Sequence, residues 1–407
     1  MKKPSVLIIF LTVFIDLIGF GMVLPLLPIF AKNFEASGLT IGLLMASYSA
    51  MQFIFAPIWG RLSDRMGRRP ILLLSTAGAA ASYSVFAIGS GMTGQGALVL
   101  LFASRMVAGI CGANITVAQA YIADITPPEE RSKKMGLIGM AFGLGFIFGP
   151  AISGFSMKHL GLTGPGWVAA AFCAANFVFA LLKLPESRKP NSDQAPQRPR
   201  LAQWAHTLSQ PKLGLLIGLF FMATFCFTTF ETTLGLLVSE NFNLNPKNHD
   251  DADTVAYLFS FAGIVGALVQ GGAIGKLVKK LGEPKLIAIS LIMVALALIP
   301  MPFLKTWPLF LTALGLLAIG SSLTRPPVFG MISNLASADE QGVTLGVAQS
   351  AGSLARIVGP IFAGTLFSHH QATPYVVSGV LALITGVIAW IFLRKPAPAP
   401  SSSSVAA

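Results

Sequence analysis

Residues 60–70 read Gly60-Arg61-Leu62-Ser63-Asp64-Arg65-Met66-Gly67-Arg68-Arg69-Pro70, and this polar stretch decides the fold. It separates two apolar stretches of roughly 20 residues, each long enough to cross a bilayer core of about 30 Å. The stretch is therefore predicted to be a short loop between two membrane-spanning helices. Its four arginines place it on the cytoplasmic side, because positive charge is enriched in cytoplasmic loops.

The composition of the whole chain also indicates a membrane protein. Of its 407 residues, 54% are hydrophobic and 11% are charged, and the mean hydropathy is +0.72. The net charge of +12 is spread over short loops between apolar stretches, which argues against nucleic-acid binding. The three cysteines lie inside apolar stretches without metal-ligand spacing, so neither a metal site nor a disulfide is expected.

Apolar runs between charge and turn signals predict an all-α integral membrane protein with twelve transmembrane helices. The predicted helices lie near residues 5–31, 39–60, 70–90, 96–122, 134–158, 164–184, 212–239, 253–278, 285–303, 307–332, 341–367 and 373–393. An even number of helices puts both termini on one side. That side is predicted to be the cytoplasm, because the connections on the other side contain few basic residues, namely Lys32, Lys158, Lys247 and Lys305.

The chain is predicted to consist of two six-helix halves, residues 1–184 and 212–394, joined by a cytoplasmic linker at 185–211 and followed by a disordered tail at 395–407. The halves repeat each other at an offset of 210 residues, which is typical of duplicated transporter folds. The offset matches Glu130 with Glu340, Gly136 with Gly346, Gly149-Pro150 with Gly359-Pro360, and Gly154 with Gly364. Residues 275–283 repeat the opening loop, but Lys279 stands where Asp64 does.

These motifs resemble the major facilitator superfamily, and within it the twelve-span drug/proton antiporters that include the tetracycline and quinolone exporters. The opening loop matches the family signature at Gly60, Leu62, Asp64, Arg65, Gly67, Arg68 and Arg69. Further matches are Asp16 with Gly19, Gly21, Pro25 and Pro28; Arg105 with Gly109 and Gly112; and Gly139, Gly143, Gly149, Pro150 and Gly154, the antiporter pattern of helix 5. The segments Phe230-Glu231-Thr232 and Arg325-Pro326-Pro327 are similar to the quinolone and multidrug exporters.

The resemblance implies a monomer in a bacterial-type inner membrane that exports a small amphipathic drug in exchange for protons. No cofactor is implied, and a drug–metal chelate is one candidate form of the substrate. In this family, helices 1, 4, 7 and 10 line a central cavity.

Ionisable residues inside the spans are the candidates for coupling protons to the substrate. Each costs at least ~2.5 to 3.5 kcal/mol at the centre of a membrane helix, so each needs a partner or a cavity. Asp16 is the first candidate for the carboxylate that carries protons or binds a substrate cation. Arg105 is predicted to lie at the same depth, so a static pair of these two residues is the alternative. Glu231, in the outer third of helix 7, is a second acid that either functions in this way or is simply hydrated.

Four further residues are candidates for the substrate cavity. Arg325 either holds an anionic part of the substrate or extends its side chain to the membrane surface. Arg356 replaces the apolar Phe146 of the repeat and is predicted to face the interface between halves. Gln119 and Phe227 are predicted to line the cavity.

The opening loop is predicted to act as a conformational gate. Asp64 is expected near the N-terminus of a helix of the other half, where a negative charge is favoured by ~0.3 to 1 kcal/mol. The basic residues Arg65, Arg68 and Arg69 are expected to pair with acids such as Asp124, so that the loop closes the cytoplasmic side in one state. The alternative, a loop used only for topology, does not explain Asp64 between Gly60 and Gly67. Because Lys279 replaces Asp64 in the repeat, the gate is expected to be one-sided.

The helix-5 glycines are predicted to allow close helix approach at the interface between halves, with Pro150 kinking the helix. A generic packing motif is the alternative. Export of an endogenous metabolite, sugar or lipid is a competing function, and a non-transporting membrane sensor is another. The sequence has no metalloprotease, nucleophile-elbow or P-loop motif, so an enzyme is not expected.

Overall fold

The computed structural model describes residues 4–23, 38–188, 200–243 and 249–393. These residues are helical with short connections, and twelve of their helices are long and apolar enough to cross a membrane. The prediction of twelve spans is therefore confirmed. Three parts of the predicted organisation lie outside the described residues. They are residues 24–31 of the first helix, which include Pro25 and Pro28, residues 189–199 at the centre of the linker, and the tail at 395–407.

The helices are numbered α1 to α12 along the chain. α4 consists of two segments, and α8 contains a π-helical turn, Val269–Ala273, between two α-helical segments. Their bounds are α1 Val6–Val23, α2 Gly38–Met66, α3 Arg68–Ser90, α4 Gln95–Gly112 and Ile115–Asp124, α5 Pro128–Leu160, α6 Gly164–Lys183, α7 Pro211–Phe242, α8 His249–Leu268 and Ile274–Leu281, α9 Glu283–Leu298, α10 Trp307–Leu335, α11 Gln341–His369 and α12 Thr373–Phe392.

The two halves use the same helix pairs. In the first half α1 packs on α5 and α6, and α3 packs on α4 and α6; in the second half α7 packs on α11 and α12, and α9 packs on α10 and α12. Each pair of the second half is the pair of the first half shifted by six helices. This repetition is the pseudo-symmetry that the 210-residue sequence offset predicts.

The halves meet along α2 with α11, and along α5 with α8 and α10. Glycines bring the backbones of α2 and α11 together, because a Cβ on Gly60 would collide with the Gly342 carbonyl. One turn further along, a Cβ on Gly346 would lie 2.6 Å from the Ala56 carbonyl oxygen. We call the end of the bundle that holds the α2–α3, α4–α5, α8–α9 and α10–α11 connections the basic end.

Three local predictions differ from the structure. α2 continues to Met66, so the predicted loop at 60–70 is mostly helical and turns at Gly67, whose φ of 95° favours glycine. α4 is interrupted at Ala113 and Asn114 instead of being continuous. The predicted linker contains a helix, Arg200–Ser209, whose Trp204 ring lies 5.6 Å from the Phe53 ring of α2.

Candidate transport site and gate

Asp16 lies on α1 and is held by two asparagine side chains. Asn114, at the interruption of α4, donates from Nδ2 to Asp16 Oδ2 at 2.9 Å, and Asn176 of α6 donates to Oδ1 at 2.8 Å. A cavity lies beside the carboxylate and is lined by Asp16, Phe20, Tyr48, Tyr83 and Asn114, with small apolar residues of α3 and α4. The acid is thus partly buried among neutral donors, next to a small cavity.

Arg105 does not pair with Asp16. Asp16 bonds Asn114, nine residues after Arg105 on α4, so the static pair of the alternative is not formed. That the two residues share a depth stays a prediction. The Arg105 guanidinium carbon instead lies 4.7 Å from the Tyr48 ring centroid and 5.8 Å from that of Phe20.

Glu231 and Arg356 influence each other electrostatically, and no direct ion pair between them is recorded among the described residues. Glu231 of α7 is exposed, whereas its neighbour Phe230 is buried. Arg356 of α11 acts electrostatically on Glu231 and also on Tyr48 of the first half. Arg356 therefore lies near both halves, and its positive charge acts on Glu231.

Arg325 of α10 is enclosed by aromatic rings. Its guanidinium carbon lies 5.2 Å from the Phe142 ring, 5.4 Å from Phe329 and 5.7 Å from Phe220, and its Nη2 donates to Gln349 Oε1 at 2.9 Å. The side chain is therefore fixed between α5, α7, α10 and α11. It does not extend to the membrane surface, which was one of the two alternatives.

The other two cavity candidates have different surroundings. Gln119 is 2% exposed on the second segment of α4, and its Oε1 has no hydrogen-bond partner among the described residues. The Phe227 ring lies 5.5 Å from the Phe230 ring and packs against the apolar core of the second half. Gln119 thus has a free hydrogen-bond acceptor near the interface between the halves, whereas Phe227 packs against other apolar side chains.

The opening loop joins the two halves at the basic end. Both oxygens of Asp64 accept backbone N–H groups at the first turn of α11, from Gly342 and Val343 at 2.9 Å each. The carboxylate thus lies at a helix N-terminus of the other half, as predicted. Arg68 is fully buried and joins Asp64 at 2.7 Å to Asp124 at 3.0 Å.

Arg68 alone of the three predicted basic gate residues pairs with an acid among the ion pairs recorded for the described residues. Arg69 donates from Nη2 to the Leu181 carbonyl oxygen at 2.8 Å, so it binds α6 of its own half. Arg65 lines a shallow pocket with Trp204 between α2 and the linker helix. Of the three arginines of the motif, Arg68 therefore makes the charged contacts with Asp64 and Asp124, and Arg188 of the linker lies 4.0 Å from Asp64.

Charged residues of the linker make further contacts at the basic end, and the sequence did not single them out. Glu186 accepts the Arg68 and Arg69 backbone N–H groups at 2.8 and 3.1 Å and so caps α3. Arg188 bonds Asp339 at 2.5 Å and reaches across to the second half. The only sequence signal for these residues is that they follow Pro185 in the predicted cytoplasmic linker, whose polar composition does not distinguish one charged residue from another.

Glu283 at the start of α9 contacts the first half. It accepts a hydrogen bond from the Ser132 hydroxyl at the start of α5. Ser132 is the residue that the 210-residue offset matches with Gly342, the partner of Asp64. An acid four residues after Lys279 therefore joins the halves near the matching helix start, and the one-sided gate stays a prediction.

The helix-5 motif divides between two partners. A Cβ on Gly139 would collide with the Gln270 side chain of α8, and one on Gly143 would lie 3.0 Å from the Gly263 carbonyl oxygen. A Cβ on Gly149 would lie 2.8 Å from Gly21 Cα of α1, in its own half, and one on Gly154 would meet no atom within 4 Å. Hence Gly139 and Gly143 serve the interface between halves, and Gly149 and Gly154 do not. Pro150 lies inside α5 without ending it.

Comparisons with known proteins identify the family. Residues 9–282 and 251–407 match the profile of the Major Facilitator Superfamily. The chain is 32% identical over 410 residues to the class D tetracycline resistance protein of Salmonella ordonez, covering 98% of this chain and 99% of that protein. It is 28% identical over 388 residues to multidrug resistance protein 2 of Bacillus subtilis (strain 168), covering 94% of each.

Solved structures agree in fold. The human organic anion transporter MFSD10 (TETRAN) superposes with a TM-score of 0.80 at 25% identity, covering 95% of this chain and 100% of that one. A single-residue variant of the Escherichia coli fucose:proton symporter FucP superposes with a TM-score of 0.76 over 94% and 97% of the two chains, and at 16% identity it supports the fold alone. The chain belongs to the major facilitator superfamily of membrane transporters, and its relatives include tetracycline and multidrug resistance proteins.

Proposed function

We propose that this protein exports small amphipathic drugs of the tetracycline or multidrug type in exchange for protons, by alternating access. The observation that carries the proposal is Asp16, a partly buried acid that lines the cavity and is held by two neutral amides rather than by a basic residue. A carboxylate without a fixed counter-charge can take up and release a proton as its surroundings change. The similarity to tetracycline and multidrug resistance proteins supports the substrate class.

Alternating access is supported by the chemistry of the gate. The contacts between α2 and α11 at the basic end include two backbone hydrogen bonds to Asp64 and the Ser350 hydroxyl bond to the Phe53 carbonyl at 2.6 Å. Such polar contacts are individually modest and can break and re-form as the halves rock. We propose that the described structure has its cytoplasmic side closed.

We propose that both termini and the basic end face the cytoplasm of a bacterial-type inner membrane, and that the protein acts as a monomer. We also propose that residues 1–184 and 212–394 are two domains that rock against each other and are joined by the linker. Glu231 with Arg356 is proposed as the second charged site of the cavity, and Gln119 and Arg325 as polar groups that the substrate meets near the gate.

The test is drug uptake into energised inverted vesicles, measured with and without collapse of the pH gradient. Proton coupling predicts that uptake stops when the gradient is collapsed while the electrical potential is kept. A panel of tetracycline, fluoroquinolones and cationic dyes addresses the substrate. Uptake that continues after the collapse would rule out proton coupling.

Export of an organic anion is a second candidate. It is favoured by the buried Arg105, which has no acidic partner among the described ion pairs, and by the structural similarity to the organic anion transporter MFSD10. The same transport assay, with a labelled organic acid in place of the drug, tests whether the substrate is an endogenous metabolite.

A further inference from the structure

The pocket between α2 and the linker helix is separate from the cavity that contains Asp16, and it is larger. Its volume is about 200 Å³, against about 30 Å³ for the cavity beside Asp16. Residues of α2 form one wall, Gln203 and Trp204 of the linker helix form another, and Val343 of α11 completes the lining. The pocket is therefore built from both halves and the linker, and the proposed exchange of drug for protons does not use it.

Arg61 and Arg65 give the pocket its charge. They are four residues apart on α2, so they lie on the same face of the helix. The Nε of Arg65 is shielded from solvent and has no hydrogen-bond partner among the described residues. No acid is among the described residues that line the pocket. The pocket thus presents two guanidinium groups on one side and no carboxylate in its lining.

The rest of the α2 wall is apolar. Ile54 and Ile58 lie on the same face as the arginines, and Ile54 is 43% exposed. The span Gly42–Met66 has 25 residues and is about 37 Å long, whereas a bilayer core is about 30 Å thick. Its last turn, with Arg65, therefore extends beyond the core, and Arg61 reaches the same level with its long side chain. The charged part of the pocket lies at the level of lipid headgroups and the apolar part at the level of acyl chains.

An anion with an apolar tail matches this arrangement. Guanidinium groups bind phosphate through paired, charge-assisted hydrogen bonds, and basic pockets between membrane helices bind the headgroups of anionic lipids. Trp204 adds an aromatic ring of the kind that is enriched where a membrane meets water. A free phosphate ion would use the arginines but would leave the apolar wall without a partner.

We propose that this pocket binds an anionic phospholipid. The phosphate lies between Arg61 and Arg65, with Trp204 beside it. One acyl chain follows Ile54 and Ile58 along α2. The site is distinct from the transport cavity, so it does not depend on the proposed drug export.

The test measures binding of the first lipid molecule to the purified full-length chain by native mass spectrometry. Phosphatidylglycerol is compared with phosphatidylcholine of the same acyl chains, so that the net charge of the headgroup is the main difference. The variant is Arg61→Gln combined with Arg65→Gln. The matched control is Lys276→Gln combined with Lys280→Gln, because these exposed lysines stand at the repeated positions of α8 and do not line the pocket. Thermal unfolding shows whether each variant is folded.

The wild-type chain is expected to bind phosphatidylglycerol about 10- to 30-fold more tightly than phosphatidylcholine, the range for two basic residues at a membrane surface. The arginine variant loses this preference, and the lysine variant keeps it. Equal binding of the two lipids by the wild type contradicts the inference, as does an equal loss in the lysine variant, which would mean a general effect of charge. Displacement of phosphatidylglycerol by inorganic phosphate would assign the pocket to the free ion and would also contradict it.

A second measurement locates the lipid without changing an arginine. Phosphatidylglycerol with a brominated acyl chain quenches the fluorescence of a nearby tryptophan, and the contribution of Trp204 is the difference between the wild type and Trp204→Phe. Excess unbrominated phosphatidylglycerol should restore the Trp204 signal, whereas the same amount of phosphatidylcholine should not. Equal restoration by the two lipids would mean that ordinary bilayer lipid lies beside Trp204, and it would contradict the site. This measurement decides the inference if the arginine variant does not fold.

Discussion

At the scale of single residues, Asp64 binds three groups at once in the proposed gate. It accepts two backbone N–H groups of α11 and pairs with the buried Arg68. The negative charge therefore stabilises a helix N-terminus of the other half and a buried arginine together. A neutral side chain of the same shape keeps the packing and loses both electrostatic effects.

We expect Asp64→Asn to weaken the closed gate by about 1 to 3 kcal/mol, since a charged acceptor is replaced and Arg68 keeps only Asp124. Spin labels placed at Met66 and Ser337, both exposed and one in each half, report the width of the basic end. The distance distribution should shift to longer distances in Asp64→Asn. Glu130→Gln is the control, because its pair with Lys134 at 3.9 Å is exposed and of small energy. An unchanged distribution in Asp64→Asn would contradict the role of Asp64.

At the scale of helices, the sequence predicted the twelve spans because each is a long apolar run that needs no tertiary information. It also predicted Asp64 at a helix N-terminus of the other half. It missed the interruption of α4 at Asn114, because the amide that interrupts the helix is held by Asp16 from α1. It missed Glu186 and Glu283 because both lie in polar connections, where an acid has no distinguishing pattern until the fold brings its partner to it.

The helix-5 glycines give a matched pair of substitutions. Gly149→Val should lower stability by about 1 to 3 kcal/mol, because its side chain would overlap the α1 backbone at Gly21. Gly154→Val should change stability little, since no atom lies within 4 Å of an added Cβ. Thermal unfolding in detergent compares the two. Similar melting temperatures for both variants would show that α1 and α5 do not pack as described.

The two acids at the basic end act on different helix pairs. Asp64 binds α11, and Glu283 binds Ser132 of α5, with no partner in common among their recorded contacts. We therefore expect the effects of Asp64→Asn and Glu283→Gln on the Met66–Ser337 distance to be additive. A double variant that is no more open than Asp64→Asn would mean that Glu283 has no part in the gate. Ser132→Ala should reproduce the effect of Glu283→Gln.

At the scale of the whole molecule, the proposed alternating access requires the halves to separate at the basic end. The Ser353 hydroxyl of α11 lies 3.2 Å from Gln52 Oε1 of α2, deep in this interface. In a chain whose cysteines at 111, 173 and 226 are replaced by alanine, Gln52→Cys with Ser353→Cys should be joined by a short bifunctional thiol reagent. The joined protein should lose transport, and each single-cysteine variant should keep its own rate after treatment. Full transport by the joined protein would exclude rocking about this interface.

The central claim is that drug export and proton uptake are one exchange that passes through Asp16. Its most direct test uses proteoliposomes loaded with drug and no imposed pH gradient. An outward drug gradient should drive protons inward through the wild-type protein, measured with a pH-sensitive dye inside the vesicles. Asp16→Asn should abolish this proton movement, whereas Glu240→Gln, an exposed acid at the end of α7, should not. Drug efflux without proton entry in the wild type, or normal proton entry in Asp16→Asn, would contradict the account.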